Sequence, residues 1–264
     1  MSGRVDFSRA ASTFDRRHGA VLSAPVLGRL VAAAGLVPGA RILDVGAGTG
    51  RVSLALAGAG FDVVALDPAK PMLDSLRGKG ADQKIGVVVG EGARLPFAAA
   101  RFDAVVLARI LYLMTDWRTV LTDVTRVLKP GGSLLHEWGN GSPDEEWVQI
   151  REHARRLFEQ AGVANPFHPG VRSEVDVEAF LEQCGLKPVG EVRGESEQRL
   201  TLGDFLARII NGECSYTWNV PVEVQSPCLA ELRAWVQEHY DLDRSFPFPR
   251  EIVWKIYSRP ASPS

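Results

Sequence analysis

Lysine is scarce in this chain of 264 residues, with 6 against 24 arginines, and cysteine is scarcer still at 3. Cys184, Cys214 and Cys228 form no CxxC pair and have no metal-ligand spacing, so neither a disulfide framework nor a bound metal is expected. No apolar run approaches the roughly 20 residues that a membrane helix needs. The longest, Ala104 to Met114, is broken by Arg109. The opening MSGRVDFSR lacks the apolar stretch of a secretory signal, so the expected location is cytoplasmic. Net charge is only −2, and it is split: residues 1–138 carry 17 basic and 12 acidic side chains, the remainder 13 and 20. Long-range attraction to a polynucleotide needs a concentrated basic field. The second half has the opposite sign, so no nucleic-acid partner is expected.

What is present is an alternating grammar. Phe7, Ala11 and Phe14, and then Val26, Leu30, Val31 and Ala34 after Pro25, keep helical spacing, and Pro38-Gly39 closes the segment. Short β-branched runs then alternate with helices. Strands are expected at 41–45, 62–66, 85–89, 102–108 and 133–138, and helices at 51–59, 71–78 and 116–129. Such a pattern predicts a parallel sheet covered on both faces. Right-handed crossovers then put every loop that follows a strand on one edge, where ligands bind. Beyond Trp138 helices are expected at 143–162, 174–184, 202–210 and 227–240, with strands at 187–193 and 251–258. The organisation is therefore a helical flap at 1–40, a nucleotide-binding core at 41–138, a helical cap with a late strand at 139–250, and a closing strand and tail at 251–264.

The first strand runs into Asp44-Val-Gly-Ala-Gly-Thr-Gly50. Glycines at 46, 48 and 50 permit a tight turn and close approach of a ligand, and the following helix offers unpaired N–H groups. A dinucleotide fingerprint would place Gly or Ala at position 51, where this chain has Arg. Asp67 ends the second strand, 17 residues after Gly50, where a carboxylate can accept from both ribose hydroxyls. Met72 and Leu73 follow, either as walls of an adenine pocket or as core.

Gly90-Glu-Gly-Ala-Arg-Leu-Pro-Phe97, Phe102-Asp103 and Leu128-Lys-Pro-Gly-Gly132 complete a set that, with DVGAGTG and Leu66-Asp67, resembles the class I S-adenosylmethionine-dependent methyltransferases acting mostly on small molecules. The resemblance covers about residues 40–138. It implies a Rossmann-like, doubly wound, mostly parallel sheet of seven strands, with a helical cap inserted after the fifth. It implies S-adenosyl-L-methionine as cofactor and a small-molecule methyl acceptor as partner. Asp44, Gly46, Ala47, Gly48 and Gly50 would line the methionine and ribose, and Asp67 with Pro68 the sugar. Met72, Glu91, Gly92 and Ala93 would flank the adenine, and Ala108 and Arg109 the sulfonium end. The family's usual Asp-Ala is Glu91-Gly92 here, and its Leu-His-His stretch is Leu111-Tyr112-Leu113.

An in-line displacement needs mainly alignment, so no invariable catalytic residue follows from it. Candidates for an acceptor-side base are His136 and Glu137, at the end of the fifth strand, and Tyr112; the pleat lets at most one of the first two face the cleft. His168 reads as a loop residue more than as a base, Tyr216 and Trp218 are weaker candidates for an acceptor pocket, and Phe14 to His18 for a flap. Two other readings remain open: a nicotinamide-dependent dehydrogenase, and a methyltransferase-like protein that binds the cofactor without turnover.

Overall fold

The computed structural model describes residues 21–139, 145–163, 170–195, 199–214, 217, 220–247 and 251–261. The expected flap residues Phe14 to His18, with His168, Tyr216 and Trp218, lie outside them. Helix α1 (Ala24–Ala33) opens the described chain, with Pro25 in its first turn. Then follow β1 (Arg41–Val45), α2 (Ser53–Gly58), β2 (Asp62–Asp67), α3 (Lys70–Lys79), β3 (Ile85–Val89) and β4 (Phe102–Ala108). A 3-10 turn, Leu111–Leu113, precedes α4 (Trp117–Val127) and β5 (Leu128–Glu137). The remaining elements are α5 (Glu145–Gln160), α6 (Glu174–Gln183), β6 (Lys187–Glu195), β7 (Arg199–Thr201), α7 (Leu202–Ile210), α8 (Val222–His239), β8 (Ser245–Pro247) and β9 (Glu251–Ser258).

Seven strands form one sheet in the order β3-β2-β1-β4-β5-β9-β6. β1 pairs in parallel with both β2 and β4, and β4 with β5, whereas β9 lies antiparallel to β5. The chain winds outward from β1 to β3 and then returns to β4 on β1's other side. The strand order therefore reverses between β1 and β4, whose carboxyl ends open the crevice where such sheets bind ligands. This is the mostly parallel, seven-stranded Rossmann-like sheet that the family resemblance implies.

The chain divides into two compact units. Among the described residues, one comprises 21–139, 170–193 and 253–261, and the other those of 145–163 and 194–252. The expected cap at 139–250 is thus interrupted: α6 and most of β6 belong with the sheet, because Val177 and Leu181 are buried in the same core as Val105, Leu134 and Tyr257. Helix α4 turns Trp117, Val120, Leu121, Val124 and Val127 into that core, an i, i+3, i+4, i+7 stripe. Lys255 on β9 ties α6 down through Glu174 and Glu178. The second unit has its own core of Trp147, Ile150, Phe158, Phe205, Ile209, Leu232 and Val236, contributed by α5, α7 and α8. No helix among the described residues is long and apolar enough to cross a membrane.

Candidate functional site

The loop after β1 is held by its own backbone. The Gly46 and Ala47 N–H groups both donate to the Leu66 carbonyl, at 2.7 and 3.1 Å, anchoring the turn on β2. Gly46, Gly48 and Gly50 have φ of 71°, 56° and 95°, in the left-handed region that L side chains avoid. A Cβ at Gly46 would meet the Ile110 side chain at 2.7 Å, and one at Gly50 would meet Leu76 at 2.8 Å. Glycine is thus required here by both dihedral and space.

Asp67 is tied to this loop. The Gly48 N–H donates to its Oδ2 at 2.9 Å and the Ala69 N–H to its Oδ1 at 2.8 Å. Burial raises its pKa, and these two hydrogen bonds oppose the rise. A carboxylate has about four acceptor positions. Two are taken, which leaves one on each oxygen for a pair of vicinal hydroxyls. The residues present therefore fit the sugar of a nucleoside cofactor. Asp44, 2% exposed, accepts from the Ser53 hydroxyl at 2.6 Å. Desolvation raises its pKa to about 6, against the lowering effects of Ser53 and Arg51.

Around this pair the expected cofactor residues fall into different environments. Pro68 is exposed and Glu91 half-buried. Gly92 is buried, and a Cβ there would crowd Val45 and Met114 at 3.2 and 3.3 Å. Ala93 packs against the core beneath. Met72 is 1% exposed and, like Leu73 and Leu76, lies in the interior. Ala108 is half-buried at the end of β4, directly before buried Arg109.

The candidate bases separate as the pleat demands. His136 and Glu137 point to opposite faces of β5. Glu137 is fully buried and is gripped from both sides: the Arg109 Nε donates to Oε1 at 2.5 Å, and Arg51 donates to Oε2. Burial would raise its pKa, but Arg109 and Arg51 outweigh burial and hold the carboxyl below its usual range. It is an ionised strut. His136 is 1% exposed, and neither ring nitrogen has a partner among the described residues. Desolvation lowers its pKa to about 4, so it is neutral near physiological pH. Its ring and that of Tyr112 both make edge contacts with Trp138, at 6.2 and 6.4 Å. The Tyr112 backbone carbonyl accepts from the Gly170 N–H at 2.9 Å. Arg51 enters the sequence reading only as the residue that spoils a dinucleotide fingerprint; its role as a partner of Glu137 was not foreseen. The signal available for it was an acid closing β5 and an arginine just beyond each of the glycine loop and β4.

Comparison with known proteins accords with this geometry. A family of methyltransferase domains matches residues 43–136. A demethylmenaquinone methyltransferase of Renibacterium salmoninarum is 44% identical over 106 residues, covering 40% of this chain and 44% of that protein. One from Corynebacterium glutamicum is 36% identical over 135 residues, covering 51% and 57%. The chain thus spans about half the length of the curated relatives it matches. Among solved structures, the YcgJ protein of Bacillus subtilis superposes with a TM-score of 0.59 at 17% identity, covering 91% of this chain and all of that one. An S-adenosylmethionine-dependent methyltransferase of Methanosarcina mazei superposes with a TM-score of 0.55 at 17% identity, covering 92% of this chain and 100% of that one. At those identities the likeness concerns the fold. With the motif order, the glycine loop bound to Asp67 and the matched span taken together, residues 43–136 are a class I S-adenosylmethionine-dependent methyltransferase domain.

Proposed function

We propose that the chain transfers a methyl group from S-adenosylmethionine to a small, partly apolar acceptor. The observation that carries this is the hydrogen bond from Gly48 N–H to Asp67: it makes the glycine turn and the sugar-binding carboxylate one rigid unit beside the carboxyl ends of β1 and β4. Asp67 would hold the ribose hydroxyls. Gly46, Gly48 and Gly50 would let the backbone approach the methionine portion, and Asp44 with Ser53 would brace the loop. Gly92 and Ala93 would lie along the adenine, with Glu91 accepting from its amino group. Bound S-adenosylmethionine supplies a methyl already activated by positive sulfur. The protein's remaining work is then alignment and exclusion of water, which supply roughly 7–11 kcal/mol in favourable cases.

Demethylmenaquinone, the acceptor named for the relatives, is a ring compound of this apolar class, and its reduced form is the first acceptor to test. The alternative of a cofactor-binding protein without turnover is favoured by one observation, the engagement of Glu137 by two arginines. Both readings require the cofactor, and two measurements test that requirement. S-adenosylhomocysteine is expected to raise the melting temperature while NAD does not, and Asp67→Ala is expected to weaken its binding at least tenfold, about 1.4 kcal/mol. Equal stabilisation by NAD would overturn the cofactor assignment. Transfer of labelled methyl to a reduced naphthoquinone or to a small-molecule extract distinguishes enzyme from binder.

A further inference from the structure

The far side of the glycine loop and the ends of β4 and β5 bury two guanidiniums around one carboxylate. The side chains of Arg51, Arg109 and Glu137 are 13%, 9% and 0% exposed. Each carboxylate oxygen of Glu137 is claimed by a different arginine, so the cluster carries a net charge of +1. That count leaves out Asp44, which acts on Arg51 through space and accepts from the neutral Ser53 hydroxyl. Within this cluster Arg109 bears two costs. Its Nη2 is buried without a hydrogen-bond partner among the described residues. A buried donor left unmade costs roughly 1–3 kcal/mol, more when charged. Its backbone, at φ 60°, is also left-handed, a conformation shared by only one other non-glycine among the described residues, Ala100. A strut for Glu137 would need only the Nε bond. The terminal nitrogen is surplus to that role, and its residue directly follows β4, one of the two strands between which the order reverses.

We propose that Arg109 is an oxyanion-docking residue: its Nη2–H binds an oxygen anion of a small molecule held in the cleft, while Glu137 and Arg51 fix the plane of the guanidinium. The idea rests on the proposed function only in taking this crevice as the ligand site. It also accounts for the lack of an available carboxylate base at Glu137. An acceptor that binds as a phenolate, enolate or carboxylate has already lost its proton. Its oxygen, or a carbon conjugated to it, forms the bond to the methyl as the carbon–sulfur bond breaks and the electron pair stays on sulfur. Anion and sulfonium thereby give two neutral centres, and no proton passes to the protein. An oxyanion of the same chemistry is carried by the methionine end of the cofactor, and the test separates the two sources.

Isothermal titration of the wild-type chain, Arg109→Met and Arg109→Lys, each checked by thermal melting, would use two ligand pairs. Benzoate against benzamide, on protein saturated with S-adenosylhomocysteine, reads an acceptor oxyanion. S-adenosylhomocysteine against 5′-methylthioadenosine, which lacks the amino-acid end, reads the cofactor's carboxylate. At least one pair is expected to show tenfold or greater preference for the anion in the wild type, falling towards unity in Arg109→Met. Whichever pair responds names the source. If Arg109→Met fails to fold, Arg109→Lys, which keeps the charge but loses the forked donor, is expected to reduce the same preference severalfold. Ratios that do not differ between the wild type and a folded variant in either pair would overturn the proposal. A wild type that binds neither nucleoside would instead refute the cofactor reading, leaving benzoate against benzamide, titrated without cofactor, to judge Arg109 alone.

Discussion

His136 and Glu137 are neighbours in sequence, yet their environments drive them to opposite charge states. Glu137 stays ionised because two guanidiniums outweigh its burial; His136 stays neutral because nothing does. The neutral histidine has a consequence for stability. Its folded pKa of about 4 lies below its ordinary 6.5, so between those values the unfolded chain binds more protons than the folded one. Stability attributable to His136 is therefore complete above the unfolded value and is lost as pH falls towards the folded one. The shift corresponds to roughly 3 kcal/mol over that window. Asp44, with its pKa raised to about 6, contributes a slope of opposite sign, which cancels when two proteins that both contain it are compared. In urea unfolding, His136→Phe is expected to gain about 3 kcal/mol on the wild type between about pH 7 and pH 4. A constant difference across that range would show that His136 titrates normally in the folded chain. At this scale the glycine loop was legible because backbone constraints write themselves as glycine. The Arg51–Glu137–Arg109 cluster was not, because its three members are spread over 86 residues of sequence and meet only through the strand order.

Elements with a local pattern were legible nearly to the residue. β1, β3, β4, α7 and β9 have the bounds that their apolar runs predict, and α4 stops within two residues of the expected end. The exceptions have physical reasons. β5 begins at Leu128 and runs through Lys-Pro-Gly-Gly, a sequence that reads as a helix stop. Gly132 there lies so close to the Lys129 and Asp103 carbonyls that a Cβ would come within 2.9 and 3.0 Å of them. α8 starts at Val222 rather than at Pro227, because Pro221 serves as its N-cap and Pro227 is accommodated inside the helix. Proline favours a first turn, and Pro227 therefore reads as a helix start. β7 and β8, three residues each, pair Arg199 with Pro247 and carry no period of their own. The N-terminus of α7 had a readable signal that was passed over: Thr201-Leu-Gly-Asp204 forms a reciprocal capping box, with Thr201 Oγ1 accepting from the Asp204 N–H and the Asp204 side chain from the Thr201 N–H, both at 3.0 Å. Thr201→Ala is expected to cost about 1 kcal/mol. Thr201→Ser, which retains the acceptor, should recover most of it, and chemical unfolding of the three proteins checks both.

Connectivity, not composition, divides the molecule. The chain leaves the sheet after β5, returns with α6 and β6, leaves again, and returns as β9 between β5 and β6. The change of rhythm after Trp138 marked the first exit, but the return at 170–193 was hidden because α6 reads like any other short helix. Its burial against Leu134 and Tyr257 and its ion pairs to Lys255 assign it to the sheet. The two units have separate apolar cores, and the glycine loop, Asp67 and the arginine cluster all belong to the larger one. A ligand that binds the folded state alone stabilises it by RT ln(1 + [L]/Kd), about 2.7 kcal/mol at a hundredfold excess over Kd. Amides that exchange only through unfolding of the ligand-binding unit must slow by the same factor, about a hundredfold. With S-adenosylhomocysteine at that excess, hydrogen exchange is expected to slow to this extent in β1, β2 and β4. The central amides of α5 and α8 are expected to keep their rates, since their core contributes no residue to the site. Equal slowing in α5 and α8 would mean that the two cores open as one cooperative body, and no slowing in β1 would remove the cofactor from the crevice between β1 and β4.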